Sequence, residues 1–163
     1  PYVIEIYRRK WIVSDRKYDR RKEVLDRRCD QAEAYTQAVT EDFRNIMHDT
    51  QIYLLDPDDR RTLERNEARR RWVEQLDMKV FSLGPAIRSL SDKELNSIWD
   101  SMMDTMDKLN AAHNKSFQYR FEGDKSIDPA SLYKTVQDIW LEYSKLHGDF
   151  YKRLDALRNT SLE

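Results

Sequence analysis

The sequence is poor in the residues that interrupt regular secondary structure, because only three glycines and four prolines occur among its 163 residues. Average usage would give roughly twenty of the two together. The shortage argues against sheets joined by tight turns, against a dinucleotide-binding fold and against a glycine-rich loop that cradles phosphate. Long helices need few such residues, so the composition favours a helical chain.

Cysteine is also scarce, since Cys29 is the only one. It excludes an internal disulfide framework and a cysteine-based zinc site, and it favours a reducing compartment. Its neighbours Arg27 and Arg28 favour a lowered thiol pKa and a reactive cysteine, whereas its register on the helix favours a small apolar core residue. No apolar run of 18 residues and no signal-peptide pattern occurs, so we expect a cytoplasmic location.

What the chain has in quantity is charge, at 36% of residues, together with 18 aromatic residues. The first 55 residues contain no glycine or proline after Pro1, and they predict one helix of about 50 residues. Within this helix, apolar or small residues recur every seven positions, at Ile4, Trp11, Tyr18, Leu25, Ala32, Val39, Ile46 and Tyr53. From Leu25 onward a second stripe, with Cys29, Thr36 and Phe43, joins the first, and the two together have the alternating four- and three-residue spacing of a coiled-coil seam.

Three further helices follow. We predict the second over 59–81, and a third that ends near Tyr119 and begins with a capping box made by Ser91 and Glu94. Asp128-Pro129 predicts the start of a fourth helix, which ends near Arg158. The predicted fold is an all-α, elongated antiparallel bundle with coiled-coil-like packing, four main helices and a long first helix. No internal repeat is expected.

The predicted organisation has three parts. Residues 1–28 form a basic extension of the first helix, either an arm or a membrane-proximal segment. Residues 29–160 form the helical bundle domain, and 161–163 are a tail left by cloning. The extension holds ten basic and four acidic residues within 8–28, whereas 29–59 holds eight acidic residues and one arginine. Three interpretations are open. The blocks are solvated helix faces, or the acidic block 29–59 pairs with the basic block 60–71 in an internal hairpin, or the basic block 8–28 pairs with the acidic block of a second chain in an antiparallel homodimer.

An anionic membrane surface is the other predicted partner. An apolar, aromatic start followed at once by basic residues is typical of the cytoplasmic exit of a transmembrane helix. Because the first residue is Pro1, we expect the chain to be a fragment, which an upstream transmembrane helix would anchor at the cytosolic face of a membrane. Alternatively, the apolar start is an ordinary end of an amphipathic helix that packs on its own bundle. The residues predicted to contact a membrane or a partner are Tyr7, Arg8, Arg9, Lys10, Trp11, Arg16, Lys17, Arg20 and Arg21, with Arg69, Arg70, Arg71 and Trp72 as a second interaction segment.

No motif for catalysis, cofactor or metal is present, so we predict no enzyme, no cofactor and no metal site. His113 falls on an apolar face, which favours a hydrogen-bonded interior histidine. Nucleic acid is disfavoured because acids interrupt the basic stretch. The predicted function is a non-enzymatic structural or protein-interaction domain that docks through its long helix and arginine-rich segment. The alternative is a ligand-sensing bundle with an apolar pocket lined by Trp99, Met102, Met106 and Trp140.

Overall fold

The computed structural model describes residues 2–55 and 84–160, with side chains from Ile12 onward except Val13. None of these residues lies in a β-strand, and the predicted all-α class is confirmed. The predicted second helix, 59–81, and the tail 161–163 lie outside the described residues. The long helices are α1 (Tyr2–Leu55), α2 (Lys93–Phe117) and α3 (Pro129–Asn159), with a short helical turn at 84–88 before α2 and a π-helical turn, Gln118–Glu122, after it.

Helix α1 runs without interruption for 54 residues, as the absence of glycine and proline predicts. From Cys29 its predicted seam is fully buried and packs against both α2 and α3. Burial of this stripe supplies most of the stability of a long helix, because propensity alone contributes little. The buried members of the seam are Cys29, Ala32, Thr36, Val39, Phe43 and Ile46.

The first turn of α2 differs from the prediction by one residue. The N-cap is Asp92, whose carboxylate accepts a 2.7 Å hydrogen bond from the backbone N–H of Leu95. The predicted capping box of Ser91 and Glu94 is therefore wrong. Ser91 has a φ of 56°, in the left-handed region, whereas an N-cap residue needs an extended backbone.

Helix α3 begins as predicted. Asp128 caps it by accepting hydrogen bonds from the backbone N–H groups of Ala130 and Ser131, and Pro129 occupies the first turn. The buried face of α3 carries Leu132, Val136, Ile139, Tyr143, Phe150 and Leu154. These residues recur at spacings of three, four or seven along the sequence, so the 3.6-residue period alone identifies the core face of this helix.

Direct contacts fix how the helices lie beside each other. Along α1, Asp30 is bonded to Arg158 and Thr40 to Tyr143, so rising numbers in α1 meet falling numbers in α3. Against the segment from 84 onward the order is the same in both, since Arg28 contacts Ser89 and Thr50 contacts His113. The core is built from all three helices and includes Ile87.

A buried hydroxyl pair ties α1 to α3. Thr40 Oγ1 lies 2.9 Å from the Tyr143 hydroxyl and 2.8 Å from the carbonyl oxygen of Thr36. The threonine has one proton and gives it to that carbonyl, so the Tyr143 hydroxyl donates to Thr40. The Tyr143 ring also stacks on Phe43, with ring centroids 4.0 Å apart.

Burial raises the pKa of Tyr143 to about 12, against the opposing effect of the Thr40 hydrogen bond. We expect an ultraviolet pH titration to show a tyrosine ionisation step near pH 12, and Tyr143→Phe to remove that step. Since the folded state holds the phenol neutral, its contribution to stability is complete below the ordinary pKa of about 10 and decreases as the pH rises toward 12. A step of unchanged size near pH 12 in the phenylalanine variant would contradict this assignment.

Candidate interaction surface

The packing of α1 against the rest of the bundle begins near Lys22. Every side chain from Ser14 to Arg21 is exposed, whereas Lys22 is half-buried and Leu25 packs on the core. Lys22 donates to the carbonyl oxygen of Arg158 and pairs with Asp26 at 3.1 Å. The eight residues 14–21 therefore extend α1 by about 12 Å before its first described packing contact, and all eight side chains are exposed.

Arginines of α3 hold the bundle together at this end. Arg158 donates to Asp30 at 2.8 Å and to Glu33 at 2.6 Å, so it joins the end of α3 to α1. The hydrogen bond to Glu33 is the main reason why the pKa of Arg158 is raised. These pairs use two acids of the 29–59 block internally.

A second clamp joins α3 to the start of α2. Arg153 donates to both carboxylate oxygens of Asp92, with distances of 3.0 and 2.6 Å, in the two-pronged geometry that suits guanidinium and carboxylate. The hydrogen bond from Arg153 holds the pKa of Asp92 below its usual value, against the effect of burial. Asp92 is thus both the cap of α2 and the acceptor of a cross-helix pair.

The basic side chains of the exposed part of α1 have no such structural partners. Arg16, Lys17, Arg20 and Arg21 form no ion pair with another residue of the part of the chain that the structure describes. Their side chains are all exposed. Four predicted contact residues therefore share one solvent-facing stretch of helix.

Helix geometry separates the charges that the sequence mixes. At about 100° per residue, Arg16, Lys17, Arg20, Arg21, Arg27 and Arg28 fall within an arc of about 140°. The four acids of this stretch, Asp15, Asp19, Glu23 and Asp26, fall within a neighbouring arc of about 80°. Acids and bases alternate along the sequence, but on the surface of α1 the acids lie along one edge of the basic residues. We call this set of six basic residues, with Val24 at its centre, the basic face; at its bundle end Arg27 pairs with Glu23 at 3.6 Å and Arg28 donates to the carbonyl oxygen of Ser89.

The basic face belongs to an 11-residue repeat. Residues 9–17 read RKWIVSDRK and residues 20–28 read RRKEVLDRR, so a valine stands between two basic pairs in each. Eleven residues make three helical turns of about 3.67 residues, which keeps both copies on one side of α1. The prediction that the chain has no internal repeat is wrong here.

The other predicted contact residues are placed as follows. Tyr7, Arg8, Arg9, Lys10 and Trp11 belong to α1, but their side chains are outside the description, and 69–72 lie outside the described residues altogether. Trp99, Met102 and Met106 are buried in the core. Trp140 is half-buried; its ring lies beside that of Phe43, and the Arg44 guanidinium lies over it. The ring of Trp99 contacts that of Phe150. The apolar pocket stays a prediction.

Two buried side chains settle other predictions. Burial raises the pKa of the Cys29 thiol, with Arg158 opposing the shift, so the expectation of a lowered pKa from Arg27 and Arg28 is wrong. His113 is fully buried and its Nδ1 lies 2.7 Å from Thr50 Oγ1, as an interior, hydrogen-bonded histidine should be. The Thr50 hydroxyl donates to the carbonyl oxygen of Ile46, so His113 Nδ1–H is the donor to Thr50.

A surface groove that the sequence did not predict lies between α2 and the start of α3. It has a volume of about 790 Å³, and its lining mixes Lys115 and Asp124 with the apolar side chains of Leu132 and Ile139. Lys108 at its edge is paired with Glu142 at 2.9 Å. Within the described residues, no group of three or more histidine, cysteine, aspartate or glutamate side chains is arranged to hold a metal ion.

The search for membrane-spanning helices and three comparisons with known proteins complete the description. No helix among the described residues combines the length and the apolar character needed to cross a bilayer. No protein-family model, curated protein or solved structure matches this chain. The argument for function therefore depends on the arrangement of the chain's own residues.

Proposed function

We propose that this chain is a non-enzymatic docking domain, in which a helical bundle supports the exposed, basic first half of α1. One observation carries the proposal: α1 is continuous, yet its side chains from Ser14 to Arg21 meet solvent, whereas its seam residues from Cys29 onward are buried in the core. Exposed side chains on a helix whose other half is packed in a bundle present their charges in fixed positions to a partner. Electrostatic complementarity then sets partner choice and association rate.

The finer features of the fold belong to the same proposal. The four helices form an antiparallel, coiled-coil-like bundle, with the basic extension over 1–28 and the bundle domain over 29–160. The opposite running order of α1 and α3, and the alternating four- and three-residue spacing of the buried α1 seam, support this arrangement. The seam that an antiparallel homodimer around Cys29 would use is occupied by the chain's own α2 and α3, which favours a different partner.

The proposal is tested with an anionic matrix. The chain has a net charge of −1, so a sulfonate cation exchanger at pH 7.5 retains it at low salt only if its positive charge is concentrated on one surface. We expect retention that disappears between about 50 and 200 mM salt, and that is abolished by the variant R16Q/K17Q/R20Q/R21Q.

A matched control changes the same net charge elsewhere. Lys93, Lys125, Lys134 and Lys145 are all exposed and lie outside α1. The variant K93Q/K125Q/K134Q/K145Q should elute close to the unsubstituted chain. Equal loss of retention in both variants would mean that overall charge, and not the exposed half of α1, controls binding, and the proposal would fail.

A further inference from the structure

The centre of the basic face is apolar. Val24 is 49% exposed, and it lies three and four residues from Arg20, Arg21, Arg27 and Arg28, the spacings at which helix side chains are surface neighbours. The first copy of the repeat has the same spacings around Val13 in the sequence. Val24 is thus an apolar residue in water among cations, and it does not belong to the core cluster of the bundle.

The three classes of anionic partner use such a centre differently. A nucleic acid backbone satisfies the cations but offers Val24 nothing apolar to bury against. A protein interface accepts arginine but is built around a larger apolar core, whereas here a single small apolar side chain stands among four arginines. The boundary between headgroups and acyl chains satisfies both groups at once, because the valine enters the apolar layer while arginine and lysine extend sideways to the lipid phosphates.

From this geometry we infer that the basic face of α1 lies flat on an anionic lipid bilayer, with Val24 at the apolar centre of the contact. The inference rests on the proposed docking function and names its partner. The acids of the stretch lie along one edge of the contact, because their arc is centred about 130° from the centre of the basic face. The basic face covers residues 16–28, which extends the contact over about 20 Å of helix.

The test is sedimentation of the full chain with vesicles. Phosphatidylcholine vesicles containing about 30% phosphatidylserine should bind the chain at about 50 mM salt, and pure phosphatidylcholine vesicles should not. The decisive variant is D15R/R16D/D19R/R20D, which has the same composition and net charge but moves two arginines off the basic face and two aspartates onto it. We expect its vesicle partition coefficient to fall at least tenfold, with helicity by circular dichroism unchanged.

A second variant separates a bilayer from other polyanions. Val24→Gln leaves every charge in place and introduces a residue with good helix propensity. We expect it to lower vesicle binding about fivefold and to leave retention on the cation exchanger unchanged. The parallel probe is a 20-base-pair DNA duplex. Duplex binding that matches vesicle binding, together with an unaffected Val24→Gln variant, would overturn the bilayer in favour of nucleic acid.

Failure of this inference is distinct from failure of the proposed function. If the chain is retained by the cation exchanger but binds neither kind of vesicle, the bilayer inference falls and the docking proposal stands. If it is not retained on the exchanger either, both fall. If the charge-shuffled variant binds anionic vesicles as well as the unsubstituted chain does, the basic face is not the contact surface and the inference is overturned.

Discussion

Leu154→Ala is expected to lower the free energy of unfolding by about 2–5 kcal/mol. Leu154 is fully buried in α3 and belongs to the core that joins the three helices. Truncating it removes apolar surface from the interior and leaves a cavity that the long, stiff helices close only in part. Equilibrium unfolding in urea, followed by circular dichroism, measures the change.

Leu141 provides a matched control, because it is the same residue type in the same helix and is 66% exposed. Leu141→Ala should change the free energy of unfolding by less than about 0.5 kcal/mol, since alanine is an excellent helix former and no cavity results. Equal destabilisation by the two substitutions would contradict the burial pattern of α3. It would then place the face that carries Leu141 in the core.

Asp92→Ala is expected to have the next largest effect, a loss of about 2 kcal/mol. The substitution removes the N-cap of α2, which alone is worth about 0.5–2 kcal/mol, and it leaves Arg153 without its two-pronged acceptor. Asp92→Asn separates the two contributions, because asparagine caps a helix as well as aspartate but carries no charge. We expect the asparagine variant to lose less stability than the alanine variant.

The pH dependence gives an independent check on Asp92. Its pKa is lower in the folded state than in the unfolded chain, so its contribution is complete above the ordinary value of about 4 and is lost as the pH falls through the folded-state value. The difference in stability between Asp92→Asn and the unsubstituted chain should therefore shrink below about pH 4. A difference that stays constant into acid would show that the Arg153 pair does not depend on the charge of Asp92. Asp100→Asn, in an exposed pair with Arg88, serves as the control.

Periodicity predicts the core well and the local capping less well. The seam of α1 and the apolar face of α3 follow from spacing alone, because burial is a property of a whole helix face. Ser91 and Asp92 are both good N-cap residues, and the choice between them is made by Arg153, which is 61 residues away in the chain. No local pattern contains that information. The same is true of the pairing between Thr50 and His113.

The basic face was missed for a different reason. Counting charges along 8–28 gives an interrupted basic stretch, whereas the helix places the acids and the six residues of the basic face in separate, neighbouring arcs. The signal was present in the sequence as an 11-residue repeat with a valine between basic pairs. It becomes interpretable once α1 is known to be continuous through both copies and once its packed face is known, since the repeat then has a defined orientation relative to the core.

The account depends most on the claim that Arg16, Lys17, Arg20 and Arg21 of α1 dock and do not hold the bundle together. The most direct measurement is the urea unfolding of R16Q/K17Q/R20Q/R21Q against the unsubstituted chain. The account predicts free energies of unfolding that agree within about 0.5 kcal/mol, because these side chains are exposed and form no ion pair with other described residues. A loss of about 2 kcal/mol or more would show that they stabilise the fold, and it would contradict the account.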